Sequence, residues 1–569
     1  MTHQRPWLAT YESLGLSWEA IPELPDKTLS DYIREHAQHF ADRVALSFLG
    51  QDITYQQLNQ CADSFALHLQ EQGIHAGDVI AVQMPNTPQY VVVLLAAARI
   101  CAVITSISPL LTLPETLAQL NDSRAVALVL IDSLYKSIGR DLEAAASLER
   151  IWVSSLFDMV EAPAAADAVV LLAEEVTSEN RKVIPLAADL FDRGVAPQTL
   201  TVPIDHVLYL QYTGGTTGRA KGAQLTSRNL LINNLQANVF YRYRLGKETV
   251  ASAFPFFHIG GIAVLMNALR TAATFLVIPD PRNLDEYCAA MERFTPTVLA
   301  NVPTLYQMLM ASRRFRSLDF SQLRMAISGA APFPEEQIKQ LAAIIGDNKY
   351  CEVYGMTETS PVQTLNPAER FKPGFVGVPL PGTDLRIVDP KDPNLEMLQG
   401  EPGEVAVAGP QVMQGYLAAE EANQKALVIL DGKQWMLTGD IGFLDNEGYL
   451  KICDRSKDML IVGGYKVFSV ELENKLQELP FVAMCAVVGT PDRNRPGNDV
   501  VNLFVQPTAG AGLSQRAMQD QLLTFCRNNF APYKVPKIVE FIAELPLTSV
   551  GKINKKQLRT MAQAECEPA

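Results

Sequence analysis

The sequence has few of the residues that build metal cages, disulfide frameworks or nucleic-acid surfaces. Its eight cysteines (Cys61, Cys101, Cys288, Cys351, Cys453, Cys485, Cys526, Cys566) are scattered, with no Cys-x-x-Cys pair. That spacing excludes a thiolate zinc site and points to a reducing compartment rather than a disulfide-stapled fold. Histidine is scarcer still: His258 is the only one after His206, so a histidine-clustered metal site is excluded from the larger part of the chain. Basic residues are in deficit. Lys and Arg number 48 against 62 Asp and Glu, and the net charge of −14 excludes a broad nucleic-acid surface while leaving room for a local cationic pocket. Long apolar runs are missing as well. The most membrane-like stretch, 90–105, is divided by Arg99 and closed by Ser106-Ile-Ser-Pro109, which predicts a buried helix leading into a strand. Polar and charged residues are spread through 1–26, which lacks the apolar core of a signal peptide. The expectation is a cytoplasmic protein. Peripheral contact with the inner membrane face and a homodimer both stay open.

What is present describes a large globular protein. At 569 residues the chain exceeds one compact core and implies about two to four domains. Residues 27–205 alternate helix-like and strand-like patterns: an amphipathic start at Thr28-Leu-Ser-Asp31, the strand-like Val44-Ala-Leu-Ser-Phe48, and a helix from Thr54 through Leu69. The apolar runs Val79-Ile-Ala-Val-Gln-Met84 and Ala127-Leu-Val-Leu-Ile131 follow. This alternation predicts an α/β fold with a mainly parallel sheet. The alanine-rich stretch 162–168 reads as a surface excursion. Beyond Asp454 the texture changes. A charged stretch, Asp454-Arg-Ser-Lys-Asp458, and the pair Gly463-Gly464 precede a segment with strands and helices of its own. The division is therefore a large multi-subdomain α/β domain over 1–453 and a small α+β domain over 454–569.

The stretch 208–226 organises the rest. A strand-like apolar run over 207–212 leads into Thr213, Gly214, Gly215, Thr216, Thr217, Gly218, Lys221 and Gly222. Glycines let several N–H groups converge on one anion, threonines add hydroxyl donors, and Lys221 adds a movable positive charge. These are the parts of a polyphosphate loop, although not of a Walker A loop, because Lys221 follows Ala220. Taken alone, the stretch fits a surface turn equally well. Four further stretches are unusual. Phe254-Pro-Phe-Phe-His-Ile-Gly-Gly261 carries His258; Ser328-Gly-Ala-Ala-Pro332 sets Gly329 and Ala330 where a ligand can approach the backbone. Tyr350-Cys-Glu-Val-Tyr-Gly-Met-Thr-Glu358 ends a strand with Tyr354, Gly355, Thr357 and Glu358, a set able to offer a stacking face, a hydrogen bond and a magnesium ligand. Trp435-Met-Leu-Thr-Gly-Asp-Ile-Gly442 places Asp440 in a glycine-flanked turn, where a carboxylate can hold ribose hydroxyls or simply satisfy its own backbone. Near the end, Lys552 follows a glycine, and Lys555, Lys556 and Arg559 beyond it suggest a solvated helix face.

In this order the stretches resemble the adenylate-forming superfamily of acyl-CoA synthetases, nonribosomal-peptide adenylation domains and luciferases, from about residue 28 to residue 559. Within it, Gln211-Tyr-Thr-Gly-Gly-Thr-Thr-Gly218 and Asp454-Arg-Ser-Lys-Asp-Met459 are most similar to bacterial medium- or long-chain fatty acyl-CoA ligases. The resemblance implies a large N-terminal domain, a mobile C-terminal domain and an active site between them. It also implies a two-step reaction: a carboxylate attacks the α-phosphorus of ATP to give an acyl-adenylate and pyrophosphate, and the thiol of coenzyme A then displaces AMP. By the same resemblance Thr213, Gly214, Gly215, Thr216, Thr217, Gly218 and Lys221 surround the phosphates, and Glu358 with Thr213 holds Mg²⁺. Tyr354, with Gly355 beside it, stacks on adenine; Thr357 meets the α-phosphate, and Asp440 with Arg455 binds ribose. His258 sits beside the acyl carboxylate, Ile262 and Gly329 line the acyl pocket, and Gly329 and Ala330 border adenine. Lys552 reaches the carboxylate and α-phosphate during adenylation. The small domain then turns about Lys457 and brings Gly463 and Gly464 towards coenzyme A.

Three departures stand out. Ile262 occupies the position of a gating tryptophan found in some long-chain members, Ala220 replaces the usual proline of the phosphate loop, and Lys466 and Ser469 stand where asparagine and proline are common. The first leaves chain length open. The expected substrate is a fatty acid, with an aryl or other small carboxylic acid as the second choice and loading of a carrier protein as the third. A non-catalytic binding protein is disfavoured because Glu358 and Lys552 are both present.

Overall fold

The computed structural model describes residues 5–160, 182–186, 201–213, 220–463, 465–492, 495–508, 510, 512–547 and 553–564. The predicted excursion at 162–168 lies outside them. The chain packs as two compact units, Met1–Asp384 with Ala408–Leu427, and Leu385–Val407 with Val428–Ala569.

Among the described residues the first unit contains an eight-stranded and a nine-stranded sheet. Buried apolar strands account for both: Val79–Gln83, Val103–Ser106 and Ala127–Ile131 pair in parallel in one, and Thr249–Ser252, Val298–Asn301 and Met325–Gly329 in the other. Such sheets are covered on both faces, which is why their strands read as near-continuous apolar runs. The segment that most resembled a membrane span is helix α1 (Pro88–Arg99). Thr87 caps it by accepting the Tyr90 N–H, Pro88 starts it, and all of its residues are buried. Arg99 is tolerated inside because Asp63 lies 2.7 Å away and Ser30 and Asn59 accept three further N–H bonds from it. Among the described residues no helix is long and apolar enough to cross a membrane.

Three further elements carry the site. Strands β1 (Val207–Thr213) and β2 (Lys221–Thr226) form an antiparallel hairpin at one side of the eight-stranded sheet. Helix α2 (Ser227–Tyr241) follows at once, opened by a reciprocal capping box between Thr226 and Asn229. Helix α3 (Ile259–Arg270) starts at His258. In the nine-stranded sheet, β3 (Met325–Gly329) and β4 (Tyr350–Gly355) are parallel neighbours, and β5 (Val362–Asn366) turns back antiparallel to β4.

In the second unit a five-stranded sheet contains β7 (Lys433–Leu444) paired with β8 (Leu450–Arg455), named after the short strand β6 (Gly415–Tyr416) of the first unit. A three-stranded sheet built on Val482–Pro491 and Asp499–Pro507 follows, with helices α4 (Ser469–Leu476) and α5 (Lys555–Ala564). These strands and helices match the expected α+β character of the C-terminal segment. Asp440 departs from expectation: it lies inside β7 and not in a turn. Gly439, at φ +71, opens an irregularity that lets the strand continue.

Candidate functional site

The hairpin holds the phosphate-loop residues by its two ends. Thr213 and Lys221 are direct cross-strand partners, so the intervening loop leaves and re-enters the sheet at one place. Gly214, Gly215, Thr216, Thr217 and Gly218 lie outside the described residues. Strand β6 runs antiparallel to β2, pairing Tyr416 with Ala223 and Gly415 with Gln224. This pairing sets Tyr416 between two predicted site residues. The Lys221 ammonium lies 4.9 Å from the centre of its ring, and its hydroxyl donates to Glu358 Oε1 at 2.7 Å. Glu358 and Tyr416 are both buried. The backbone adds a further tie, from Met413 N–H to the Glu358 carbonyl at 2.8 Å. A cation, a phenol and a carboxylate thus form one connected unit across two strands and one 3₁₀ turn. Nothing local in the sequence marks Tyr416, because its partners are far away in the chain.

Tyr354, Gly355, Thr357 and Glu358 are arranged by a tight reversal at the end of β4. A Cβ on Gly355 would lie 1.8 Å from the Pro361 carbonyl oxygen, so only glycine fits there. A short 3₁₀ turn over Thr357–Thr359 follows, Ser360 adopts φ +66, and Ser360–Pro361 is a cis peptide bond. The Thr359 hydroxyl closes the reversal by bonding the carbonyls of Met356 and Pro361. Asn233 of α2 clamps its far side, exchanging two hydrogen bonds with the backbone of Val362. Beside it, Gly329 ends β3 opposite Val353, where a Cβ would meet Val353 Cγ2 at 2.7 Å, and Ala330 is exposed at φ +71. The predicted groups therefore gather at the carboxyl ends of parallel strands, the usual place for a ligand on an α/β sheet. Glu352, two residues before Tyr354, is buried, and burial pushes its carboxyl up to about 8. The sequence held no sign of this.

His258 caps α3. Its Nδ1 accepts the Gly260 N–H at 3.1 Å, which assigns the ring proton of the neutral imidazole to Nε2. The loop that presents it is fastened at successive peptide groups. Asn86 accepts from Phe256 N–H at 2.7 Å and donates to the Phe254 carbonyl at 3.0 Å. Tyr90 donates to the Phe256 carbonyl at 3.0 Å, and Gln211 donates to the Phe257 carbonyl at 3.1 Å. Gln211 belongs to β1, so the strand that ends in the phosphate loop also braces the histidine loop. Ile262, one turn into α3, is fully buried.

In the second unit Asp440 and Arg455 are opposite each other in the β7–β8 register and form an ion pair of 2.7 Å. Asp440 is buried while Arg455 is half exposed. Glu404 accepts the Gly439 N–H at 3.0 Å and so holds the irregular turn of β7. Lys457 is exposed just after β8, and Gly463 sits at φ +61 with its N–H on Asn498 Oδ1. Gly464 and Lys552 lie outside the described residues.

A magnesium ion suits the donor set. Among the described residues no three His, Cys, Asp or Glu side chains converge. The Glu358 carboxylate is a hard oxygen donor that would hold such a cation together with phosphate oxygens, which is how this ion is commonly held in nucleotide sites. Thr213, at the end of β1, is the second predicted ligand.

Comparison with known proteins agrees along most of the chain. The AMP-binding enzyme family matches residues 33–417, and the AMP-binding enzyme C-terminal domain matches residues 471–552. A long-chain-fatty-acid–CoA ligase of Bacillus subtilis (strain 168) is 34% identical over 572 residues, covering 98% of each chain. One from Escherichia coli O157:H7 is 33% identical over 563 residues, covering 95% of this chain and 96% of its own. A feruloyl-CoA synthase of an Amycolatopsis species is 33% identical over 515 residues, covering 90% and 94%. Among solved structures, the anthranilate CoA ligase AuaEII with anthranoyl-AMP superposes with a TM-score of 0.82 at 24% identity, covering 95% of this chain and 99% of that one, a likeness of fold. ATP-bound MatB from Rhodopseudomonas palustris does so at 0.79 and 28% identity, covering 95% and 100%.

Proposed function

The chain belongs to the AMP-binding enzyme family, and we propose that the carboxylic acid it activates is a medium- or long-chain fatty acid. It is an AMP-forming acid–thiol ligase, which makes an acyl-adenylate and then an acyl-CoA thioester. The observation that carries the fatty-acid reading is the likeness, at 33–34% identity over nearly the whole chain, to ligases of that name in two distant bacteria. The apolar make-up of α3, which follows His258 and buries Ile262, Leu265 and Met266, is in keeping with it.

The chemistry asks for charge neutralisation more than for acid–base work, since a carboxylate must approach a triphosphate. In this reading the Lys221 ammonium and the loop after Thr213 take the β- and γ-phosphates, and Tyr416 keeps Lys221 and Glu358 at a constant separation. Glu358 and Thr213 would hold Mg²⁺, which supplies further positive charge at the phosphates. Tyr354 stacks on adenine, Thr357 meets the α-phosphate, and Asp440 with Arg455 takes the ribose hydroxyls. His258, protonated on Nε2, donates a hydrogen bond to the acyl carboxylate and does not act as its base. Lys552 bridges carboxylate and α-phosphate as the adenylate forms. For thioester formation, the part of the small domain beyond Lys457 turns about that residue and brings Gly463 and Gly464 to coenzyme A, a hinge closure that serves two half-reactions.

The likeness to a feruloyl-CoA synthase favours a second reading, an aryl acid. A screen of CoA-dependent AMP release with acetate, octanoate, palmitate, oleate, benzoate and ferulate separates the two. The highest kcat/KM is expected among octanoate, palmitate and oleate; ferulate or benzoate exceeding them all would replace the fatty-acid reading.

A further inference from the structure

The segment around Lys457 carries a buried cluster that the scheme above leaves unused. Asp454 is 1% exposed and rides on β8, where it pairs with Ile441 of β7. Ser469, the first residue of α4, lies on the other side of Lys457 in the chain and is 0% exposed. The two are joined twice: the Ser469 backbone N–H donates to Asp454 Oδ2, and its hydroxyl donates to Oδ1 at 3.0 Å. Lys555 of α5 completes the cluster, donating to Ser469 Oγ at 2.7 Å and pairing with Glu473 at 2.7 Å. One turn further along α5, Arg559 bonds the Asp458 carboxylate and the Lys457 carbonyl. Lys555 is thus bound to α4 and Arg559 to the segment around Lys457, whereas Lys556 is exposed, so the solvated face that the sequence suggests is kept at Lys556 and not at the other two.

We propose that Asp454, Ser469 and Lys555 are positioning residues that form a latch across the hinge. The proposal rests on the two-position reading given above, in which the chain beyond Lys457 turns about that residue. Asp454 moves with the five-stranded sheet, whereas Ser469 and Lys555 move with the small domain, as does Lys552, three residues before Lys555 in the chain. A rotation about Lys457 must therefore break the bonds between Asp454 and Ser469. While they last, they hold the small domain in one of its two positions. Proline at this position would have neither N–H nor hydroxyl and could make neither bond. Breaking a hydrogen bond to a buried carboxylate shifts an equilibrium by about tenfold or more, enough to redistribute the enzyme between adenylation and thioester formation.

Ser469→Pro is the direct test. Proline is well tolerated at the first position of a helix, and Phe468 already has the extended backbone, φ −92 and ψ 117, that must precede it. Two rates are measured: acid-dependent pyrophosphate exchange, and thioester formation from supplied acyl-adenylate and coenzyme A. Their ratio is expected to change about tenfold, the rates moving in opposite directions, while Ser469→Thr keeps it within about twofold of the wild type because both bonds persist. Trypsin cleavage after Arg455 and Lys457 should quicken in the proline variant. A folded Ser469→Pro protein with an unchanged ratio, or with both rates scaled alike, overturns the latch. Should that variant not fold, Asp454→Asn is read by the same ratio. Absence of pyrophosphate exchange in the wild type with every acid tried would instead overturn the ligase reading, so the two failures are told apart.

Discussion

Replacing Tyr416 by phenylalanine removes one oxygen and tests whether the Lys221–Tyr416–Glu358 unit serves the reaction. The ring stays, and with it the attraction for the Lys221 ammonium 4.9 Å away. What is lost is the 2.7 Å bond to Glu358. Both partners are buried, so water cannot simply replace the phenol, and a hydrogen bond to a charged acceptor is worth about 1.5–3 kcal/mol. At about 1.4 kcal/mol per factor of ten, loss of Glu358 placement should slow acid-dependent pyrophosphate exchange roughly 10–100-fold at low magnesium. Excess magnesium should recover part of the rate, because a loosened ligand weakens metal binding more than it alters the chemical step. The KM for ATP should change by less than about threefold, since Lys221 remains stacked. Tyr416→Leu removes the ring too and should cost about 0.5–1 kcal/mol more, appearing in that KM. Exchange within twofold of the wild type at every magnesium concentration, alongside a lowered Tm, would show that the bond serves stability alone and refute the reasoning.

Other expectations follow from single residues. Lys552→Ala should nearly abolish pyrophosphate exchange while leaving thioester formation from supplied acyl-adenylate largely intact; an unchanged exchange rate removes Lys552 from the reaction. Gly355→Ala should lower stability by about 3 kcal/mol or more, since the new Cβ would collide with the Pro361 carbonyl, and a thermal melt matching the wild type would contradict the geometry. Glu352 makes stability pH-dependent. Its carboxyl, pushed up to about 8, keeps in the folded chain a proton that the unfolded chain gives up near 4.5. The folded state therefore binds more protons between those values, and stability falls as pH rises through the window and levels off above it. Glu352→Gln carries no charge, so its advantage over the wild type should grow by on the order of 1.4 kcal/mol per pH unit from pH 5 to pH 8. A constant difference in Tm across that range would mean that Glu352 does not stay protonated when folded.

Much of the site was legible because its chemistry is local. Tyr354, Gly355, Thr357 and Glu358 occupy one strand end and one turn, and Thr213 and Lys221 close one hairpin, so short-range sequence was enough to group them. The apolar runs also announced the α/β layers, since a strand buried on both faces must be apolar throughout. Asp440 was misplaced for a local reason. Glycines on both sides suggested a turn, but Gly439 accommodates an irregularity inside a long strand whose partner, β8, supplies Arg455. Lys555 and Arg559 were read as solvated because helical spacing cannot show what a helix packs against.

The sequence by itself determined the plan of a large and a small domain and the class of reaction, and it grouped the hairpin of Thr213 and Lys221 and the strand-end motif, whose residues are close together in the chain. Only the tertiary structure decided that Tyr416 links Lys221 to Glu358, that Asn86, Tyr90 and Gln211 fasten the His258 loop, and that Asp454 and Ser469, on either side of Lys457 in the chain, are tied together. Each of these contacts joins residues on separate elements, and a hydrogen bond requires a distance that only packing provides.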